Sequence, residues 1–469
     1  MELPSKYQWA EKDRVEPPKR SVAERLADFL EIYSDFDEAT AREQAARCVQ
    51  CSKPGCVSGC PLSNRIPEWM ALIAEGRFAE AVEMSQATSN MPEICSRICP
   101  QERLCEASCV VEGRAEPISI GAIERFINEY AFRHDLVSTA TAPPNGHSVA
   151  VVGSGPAGLA CADELAKLGY AVTIFESLPV PGGLLVNGIP AFKLEKSIVE
   201  RRINILKKRG VEFRLGVTLG KDMDLDDLLA NYDAVFLGIG AQQAKPLDVP
   251  GAGLKGVYQA LPFLMQKNVD YPFDFPKIEV AGKRVAVLGG GDTAMDCLRT
   301  ALRCQAREVV CIYRRDFENM PGSRKEFFNA LEEGARFSFL TNPLALLGND
   351  AGEVTHIRCV RMALGEPDSQ GRRKPHAVAG SEFDYPAEVV LVAFGFDPVP
   401  FPPGSSLAKI AVNKWGGVVV DSDQMTSVPG VFSGGDLVRG ANLAVFAVRD
   451  ARKAAKAIHA YVSRGQPKG

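Results

Sequence analysis

A chain of 469 residues, 46% of them hydrophobic, is too long for a single hydrophobic core and reads as two or three domains. Its formal net charge of -4, with basic residues scattered along the sequence, gives no pull towards nucleic acid or an anionic membrane. No apolar run approaches the roughly 20 residues of a membrane-spanning helix, and the opening MELPSKYQWAEKDRVEPPKR is charged with no apolar signal core. The expected location is cytoplasmic, with no nucleic-acid and no membrane partner.

Residues 21–47 have helical spacing, carried by Leu26, Phe29, Leu30 and Ile32. Eight of the 13 cysteines then fall between positions 48 and 109. CVQCSKPGCVSGCP holds Cys48, Cys51, Cys56 and Cys60; CSRICPQERLCEASC holds Cys95, Cys99, Cys105 and Cys109. Between them IPEWMALIAEGRFAEAVEMSQATS reads as two short helices parted near Gly76. After them SIGAIERFINEYAFRH gives a helix with Ile120, Ile123, Phe126, Ile127 and Tyr130 on one face. Clustered cysteines in such a chain bind metal or react more often than they crosslink. Thiolates in fours suit iron-sulfur clusters or zinc. Only Cys48 and Cys51 have the C-x2-C spacing of a zinc knuckle, whereas the prolines after Cys60 and Cys99 match ferredoxin-type endings. The spacing favours two 4Fe-4S clusters; zinc and inert or disulfide-bonded cysteines are the alternatives. STATAPPNGHS, Ser138 to Ser148, then marks a linker.

SVAVVGSGPAGLACADELAKLGYAVTIFE follows as strand, glycine turn, helix and strand. Gly153, Gly155 and Gly158 form GxGxxG with Pro156 and Ala157 between them, and Glu176 ends the second strand. The first glycine makes the turn, the second admits a pyrophosphate and the third lets helix and strand pack. Glu176 is placed to accept ribose hydroxyls. About 135 residues later RVAVLGGGDTAMDCLRTALRCQAREVVCIYRR repeats the pattern as Gly289, Gly291 and Ala294, with Asp292 and Thr293 in the turn. Here the second strand ends in Arg314 and Arg315, which favours a 2'-phosphate and therefore NADPH over NADH. Two charge-assisted hydrogen bonds of roughly 1.5 to 3 kcal/mol each support ~10- to 100-fold discrimination. Asp316 beside the pair opposes this, and Arg324 and Lys325 are expected to reinforce it. Hydride transfer needs a donor and an acceptor, so one unit takes a flavin and the other a nicotinamide. Cys297, Cys304 and Cys311 read as buried or incidental, and the five histidines occur singly. YDAVFLGIG, AEVVLVAFGF and PGVFSGGD each read as a buried strand ending in small residues.

The motifs VPGGLLVNGIPAFKLEK (Val180 to Lys196, with Gly183), VLGGGDTAMDC, YRRDFENMPGSRKE, LGEPDSQGRR and FSGGDLVRG resemble the small (beta) subunits of bacterial NADPH-dependent glutamate synthase. The resemblance covers nearly the whole chain and extends to the N-terminal part of dihydropyrimidine dehydrogenase and to the large subunit of a ferredoxin:NADP oxidoreductase. It implies an α/β protein with two Rossmann-like dinucleotide-binding domains of disulfide-reductase type. The NAD(P)-binding domain is inserted in the FAD domain, and an all-α iron-sulfur domain precedes both. The implied divisions are 1–140 for two 4Fe-4S clusters, 141–282 and 396–469 for FAD, and 283–395 for NADPH. Gly435 and Asp436 of the late GGD would contact FAD. The family suggests a crossed ligand set: Cys48, Cys51, Cys56 and Cys109 on one cluster, Cys60, Cys95, Cys99 and Cys105 on the other. In the pyrimidine-reducing relatives the position matching Cys95 is not cysteine.

The implied function is electron input from NADPH through FAD and the clusters to a large (alpha) subunit carrying FMN and a 3Fe-4S cluster, where L-glutamate is made from L-glutamine and 2-oxoglutarate. The rival readings are an NAD(P)H-oxidising subunit of another complex, such as a dihydropyrimidine dehydrogenase, a hydrogenase or a ferredoxin:NADP oxidoreductase, and an NADPH-sensing zinc protein without turnover.

Overall fold

The computed structural model describes residues 12–367 and 373–465; part of the LGEPDSQGRR motif lies outside them. The helical spacing over 21–47 is realised as two helices. Ser21 caps Val22–Ala27 through a capping box with Glu24, and Asp37 caps Glu38–Ala45 by accepting from Thr40 N at 2.7 Å. Between them Asp28 accepts from Leu30 N at 3.0 Å, so side-chain turn chemistry displaces the helical ladder that the apolar spacing suggested. The helices Ile66–Glu75 and Phe78–Thr88 part at Gly76, whose φ of 78° is the left-handed conformation glycine reaches without strain. Trp69, Met70, Ile73, Ala81 and Val82 pack with Ile123, Phe126 and Ile127 of the helix Ile120–Arg133 into one core.

The first nucleotide unit is a parallel sheet ordered Val431–Ser433, Ala234–Leu237, Ser148–Val152, Ala171–Glu176, Glu212–Leu215. Its edge strand comes from the far end of the chain. The second is a parallel sheet ordered Val257–Gln259, Val389–Val392, Arg284–Leu288, Glu308–Ile312, Arg336–Ser338. Near-continuous Val, Ile, Leu and Ala runs suit strands covered on both faces. The outgoing and returning connections pair as a two-stranded antiparallel ribbon, Gln243–Ala244 with Phe396–Asp397. One unit is therefore inserted in the other. The strand Val257–Gln259 and the helix Ala260–Asn268 belong to the second unit, which begins earlier than residue 283. The reason is that Val389–Val392 needs a neighbour on its outer edge, and this strand fills it before the glycine motif starts.

Buried ion pairs fasten the three parts together. Glu93, on the cysteine-bearing helix Pro92–Ile98, takes both Nε and Nη2 of Arg202 at 2.7 Å. Glu333 of the second unit accepts from Arg299 at 2.8 and 2.9 Å, from Arg303 at 2.7 Å, and from Arg25 of the cysteine domain at 3.4 Å. Phe192 of the first unit lies with its ring centroid 4.4 Å from Arg299 and 4.0 Å from Arg303. Removing one partner from such a group leaves buried charge uncompensated, at a cost of about 3–5 kcal/mol. Glu333→Ala is expected to lower thermal stability by that amount in a calorimetric scan; an unchanged melting temperature would show that the arginines find other acceptors.

Candidate functional site

The two glycine turns are built alike. Gly153 has φ 96° and donates from its N to Phe175 O at 2.8 Å. A Cβ on Gly158 would lie 1.8 Å from Gly153 O, so the third glycine is required by helix–turn packing. A Cβ on Gly155 would meet nothing within 4 Å, and the same holds for Gly291. Each therefore opens onto free space at a helix N-terminus, Pro156–Lys167 and Asp292–Arg303, where N–H groups and dipole favour a phosphate. Gly289 has φ 138°, with Ala393 O 2.4 Å from its would-be Cβ; Ala294 is fully buried. Thr293 lies half-buried beside Asp292.

Around the first turn, Gly182 N donates to Ser154 Oγ at 2.9 Å, and a Cβ on Gly183 would lie 2.7 Å from Gly155 Cα. Gly435 closes the third side: its φ is 72°, and a Cβ there would stand 3.3 Å from Ala157 Cβ. Asp436 is held beside this turn by Asn442 N at 3.2 Å, and burial pushes its carboxyl up to about 6. The GGD and PGG segments, about 250 residues apart in sequence, thus meet over one glycine turn. Glu176 also braces its own turn. Its oxygens accept from Ser154 N and Oγ, Leu178 N and Ser177 Oγ, which fills its four acceptor positions. It fastens the turn to the strand, and a ribose hydroxyl would have to displace Ser177 Oγ, the longest contact at 3.2 Å.

At the second turn Arg314 is exposed and Arg315 half-buried, with Arg315 Nε enclosed and unpartnered. Asp316 accepts from Asn319 N at 2.9 Å and Asn319 Nδ2 at 2.7 Å, so it serves its own turn and leaves the arginine pair free of it. Arg324 and Lys325 do not reinforce the pair. Arg324 donates to Phe317 O at 2.6 Å and lies over the Phe317 ring, while the Lys325 ammonium sits 4.0 Å over Tyr33 of the cysteine domain. Cys311 donates to Gly289 O at 3.0 Å, and Cys297 is buried in the same unit's core.

The eight N-terminal cysteines separate into two groups. Cys48, Cys51, Cys56 and Cys109 line one small cavity of about 20 Å³, floored by Ile66, Met70 and Ile118. Burial, followed by the neighbouring thiols, pushes Cys56 up to about 12; burial also pushes Cys48 up to about 11. In the second group Cys99 is raised first by its hydrogen bond with Cys95 and then by burial, and it also faces Cys105. Cys60 is pushed up to about 11 by burial and faces Cys95. All eight are free. Among the described residues no three metal-ligating side chains converge closely enough to hold a single metal ion. Folding therefore brings distant Cys109 to the first run and Cys60 to the second.

Two residues went unread in the sequence. Glu124 faces Cys60, Cys99 and Cys105, accepts from Asn64 Nδ2 at 2.8 Å, and is pushed by burial up to about 8. Its signal was an acid four residues after Ile120, on the apolar face of its helix. Lys196 donates to Leu185 O at 3.2 Å and to Ile189 O, holding the PGG segment; burial pushes its ammonium down to about 7. Unfolded lysine titrates near ~10.4, so between about pH 7 and that value the unfolded chain holds a proton that the folded chain lacks. Stability contributed at this position therefore rises with pH across the window. The urea midpoint of the wild type minus that of Lys196→Met is expected to grow from about pH 7 to about pH 9; a constant difference would remove Lys196 as the cause.

Residues 147–451 match the family described as pyridine nucleotide-disulphide oxidoreductase, and residues 25–136 match dihydropyrimidine dehydrogenase domain II, 4Fe-4S cluster. The glutamate synthase [NADPH] small chain of Escherichia coli K12 is 46% identical over 96% of this chain and 98% of its own. That of Azospirillum brasilense is 46% identical over 95% of this chain and 94% of its own. The putative oxidoreductase AegA of Escherichia coli is 46% identical over 95% of this chain and 69% of its own. In fold, Mycobacterium tuberculosis FprA in complex with NADPH superposes with a TM-score of 0.59 and 22% identity, over 69% of this chain and 86% of that one. No helix among the described residues is long and apolar enough to cross a membrane. By sequence over almost its full length, the chain belongs to the family of NADPH-dependent glutamate synthase small chains.

Proposed function

We propose that this chain is the electron-input subunit of a glutamate synthase: it oxidises NADPH and delivers the electrons to a large partner subunit that makes L-glutamate from L-glutamine and 2-oxoglutarate. The observation that carries the reading is the union of three features in one clamped body: a glycine turn free of side chains at Gly155, a second at Gly291 with an unpartnered Arg315 Nε at its strand end, and eight free thiols in two groups. Bound FAD would supply acceptance of a hydride from NADPH, and iron-sulfur clusters would supply one-electron transfer.

Gly153, Gly155, Gly158, Gly183, Gly435 and Asp436 surround the flavin position, with Pro156 starting the helix that faces its phosphates. Gly289, Gly291, Asp292, Thr293 and Ala294 form the nicotinamide turn, and Arg314 and Arg315 supply positive charge for the 2'-phosphate. Cys48, Cys51, Cys56 and Cys109 would hold one 4Fe-4S cluster; Cys60, Cys99 and Cys105 would hold the other. Its fourth position is shared ground, since both Cys95 and Glu124 face those thiols. The raised thiols mean that metal must displace protons on binding, which suits ligands enclosed away from water. The partner carries FMN and a 3Fe-4S cluster, and the complex works in the cytoplasm.

Purified chain is expected to hold about eight iron and one FAD. Zinc without flavin would overturn the reading. Arg315→Ala is expected to raise the KM for NADPH by about 10- to 100-fold in dye reduction while leaving that for NADH unchanged; equal changes for both would remove the 2'-phosphate role. A second reading follows from the equal 46% identity to AegA: the same module serves a different acceptor. Purification of the native complex separates them. A much larger FMN-containing amidotransferase subunit supports glutamate synthesis, and a different oxidoreductase supports the alternative.

A further inference from the structure

The segment Pro321–Gly322–Ser323–Arg324 is sandwiched between the second glycine turn and the cysteine loop. On one side Gly322 N donates to Gly290 O at 2.9 Å, and Ser323 N donates to Asp292 Oδ1 at 2.9 Å. A Cβ on Gly322 would stand 3.0 Å from Gly290 O, so the two backbones are in direct contact. On the other side a single carboxylate oxygen, Glu102 Oε1, accepts from Ser323 Oγ at 2.8 Å and Arg324 N at 3.1 Å. Arg103 adds a hydrogen bond to Pro321 O. Glu102 and Arg103 lie in the five-residue span between Cys99 and Cys105.

Asp292 is the first residue of the helix Asp292–Arg303, whose N-terminus faces the open space above Gly291. An anionic side chain at that position is attracted to the same N–H groups and dipole that a pyrophosphate would use, and it repels the phosphate if it points there. The structure shows the carboxylate turned instead to Ser323 N.

We propose that Glu102, contributed by the cysteine domain, is a positioning residue for NADP(H): by fixing Ser323 it keeps the Asp292 carboxylate off the pyrophosphate position. The inference rests on the reading of the second glycine turn as the NADPH site. It makes nucleotide affinity depend on a loop that also presents Cys99 and Cys105, so the nucleotide unit binds fully only when the cysteine domain is docked.

The test is calorimetric titration of the full chain with NADP+, with iron and flavin counted in each preparation. Glu102→Ala and Ser323→Ala should each weaken NADP+ binding by about 5- to 20-fold, raising the KM for NADPH in dye reduction with kcat held within about twofold. The double variant should lose less than the sum of the two singles, because the bond between Ser323 Oγ and Glu102 that each single removes can be lost only once. Adding Asp292→Asn to Glu102→Ala should restore binding to within about twofold of Asp292→Asn alone, a rescue that a merely structural role would not produce. If Glu102→Ala loses iron, Ser323→Ala, which leaves the cysteine loop intact, removes the same bond together with the weaker cap of Ser323 Oγ on Glu326 N at 3.4 Å. Unchanged NADP+ affinity in the Ser323→Ala protein, or no rescue by Asp292→Asn, overturns the role of Glu102 alone. Wild-type protein that binds no NADP+ overturns the NADPH reading with it.

Discussion

Glu333 has no exposed side-chain surface, yet it takes three arginines: Arg299 and Arg303 from its own unit and Arg25 from the cysteine domain. Side chains from the other parts of the chain converge on that buried charge. Phe192, from the first unit, presents its ring to the same two guanidiniums, and Lys193 beside it pairs with Asp296 at 2.8 Å. The seam therefore joins residues from all three parts of the chain. Buried ion pairs add little net stability over a well-packed apolar seam, but they are costly to break and tolerate few geometries. The cysteine loop meets the nucleotide unit separately, through Glu102 and Arg103.

The two nucleotide units use one backbone design with opposite electrostatics. In both, a positive-φ glycine starts the turn and a glycine at the helix cap faces open space. The first unit ends its second strand in a carboxylate, which is absorbed into fixing the turn; the second ends in guanidinium, one nitrogen of which is left unmatched. The carboxylate, filled by two backbone N–H groups and two hydroxyls, braces its own turn, whereas the guanidinium keeps one enclosed donor without an acceptor. This contrast, more than the shared fingerprint, distinguishes the first turn from the second.

The readings that held and those that shifted have separate physical causes. Strands and glycine turns were legible because a fully covered parallel strand must be apolar throughout and because the third glycine has no room for a Cβ. The helical spacing over 21–47 is interrupted where Asp28 and Asp37 offer backbone N–H groups a local acceptor. The strand Val257–Gln259 was missed because three residues carry no period of their own; its partner Val389–Val392 defines it from 130 residues away. Arg324 and Lys325 were assigned to the phosphate by proximity in sequence, but the turn of the helix Arg324–Glu332 sends one to Phe317 and the other across the seam to Tyr33.

What the sequence determined by itself was the inventory: two glycine turns of known spacing, two runs of four cysteines, and an arginine pair where an acid would suit NAD. These signals survive in one dimension because backbone sterics and ligand chemistry act over a few residues. Only the tertiary structure decided which cysteines face which, that Glu124 joins the second group, and that a glutamate between two cysteines caps a helix of the nucleotide unit. Those relations depend on elements that meet only after the domains dock, and docking is set by buried charges whose partners lie about 70 to 300 residues apart.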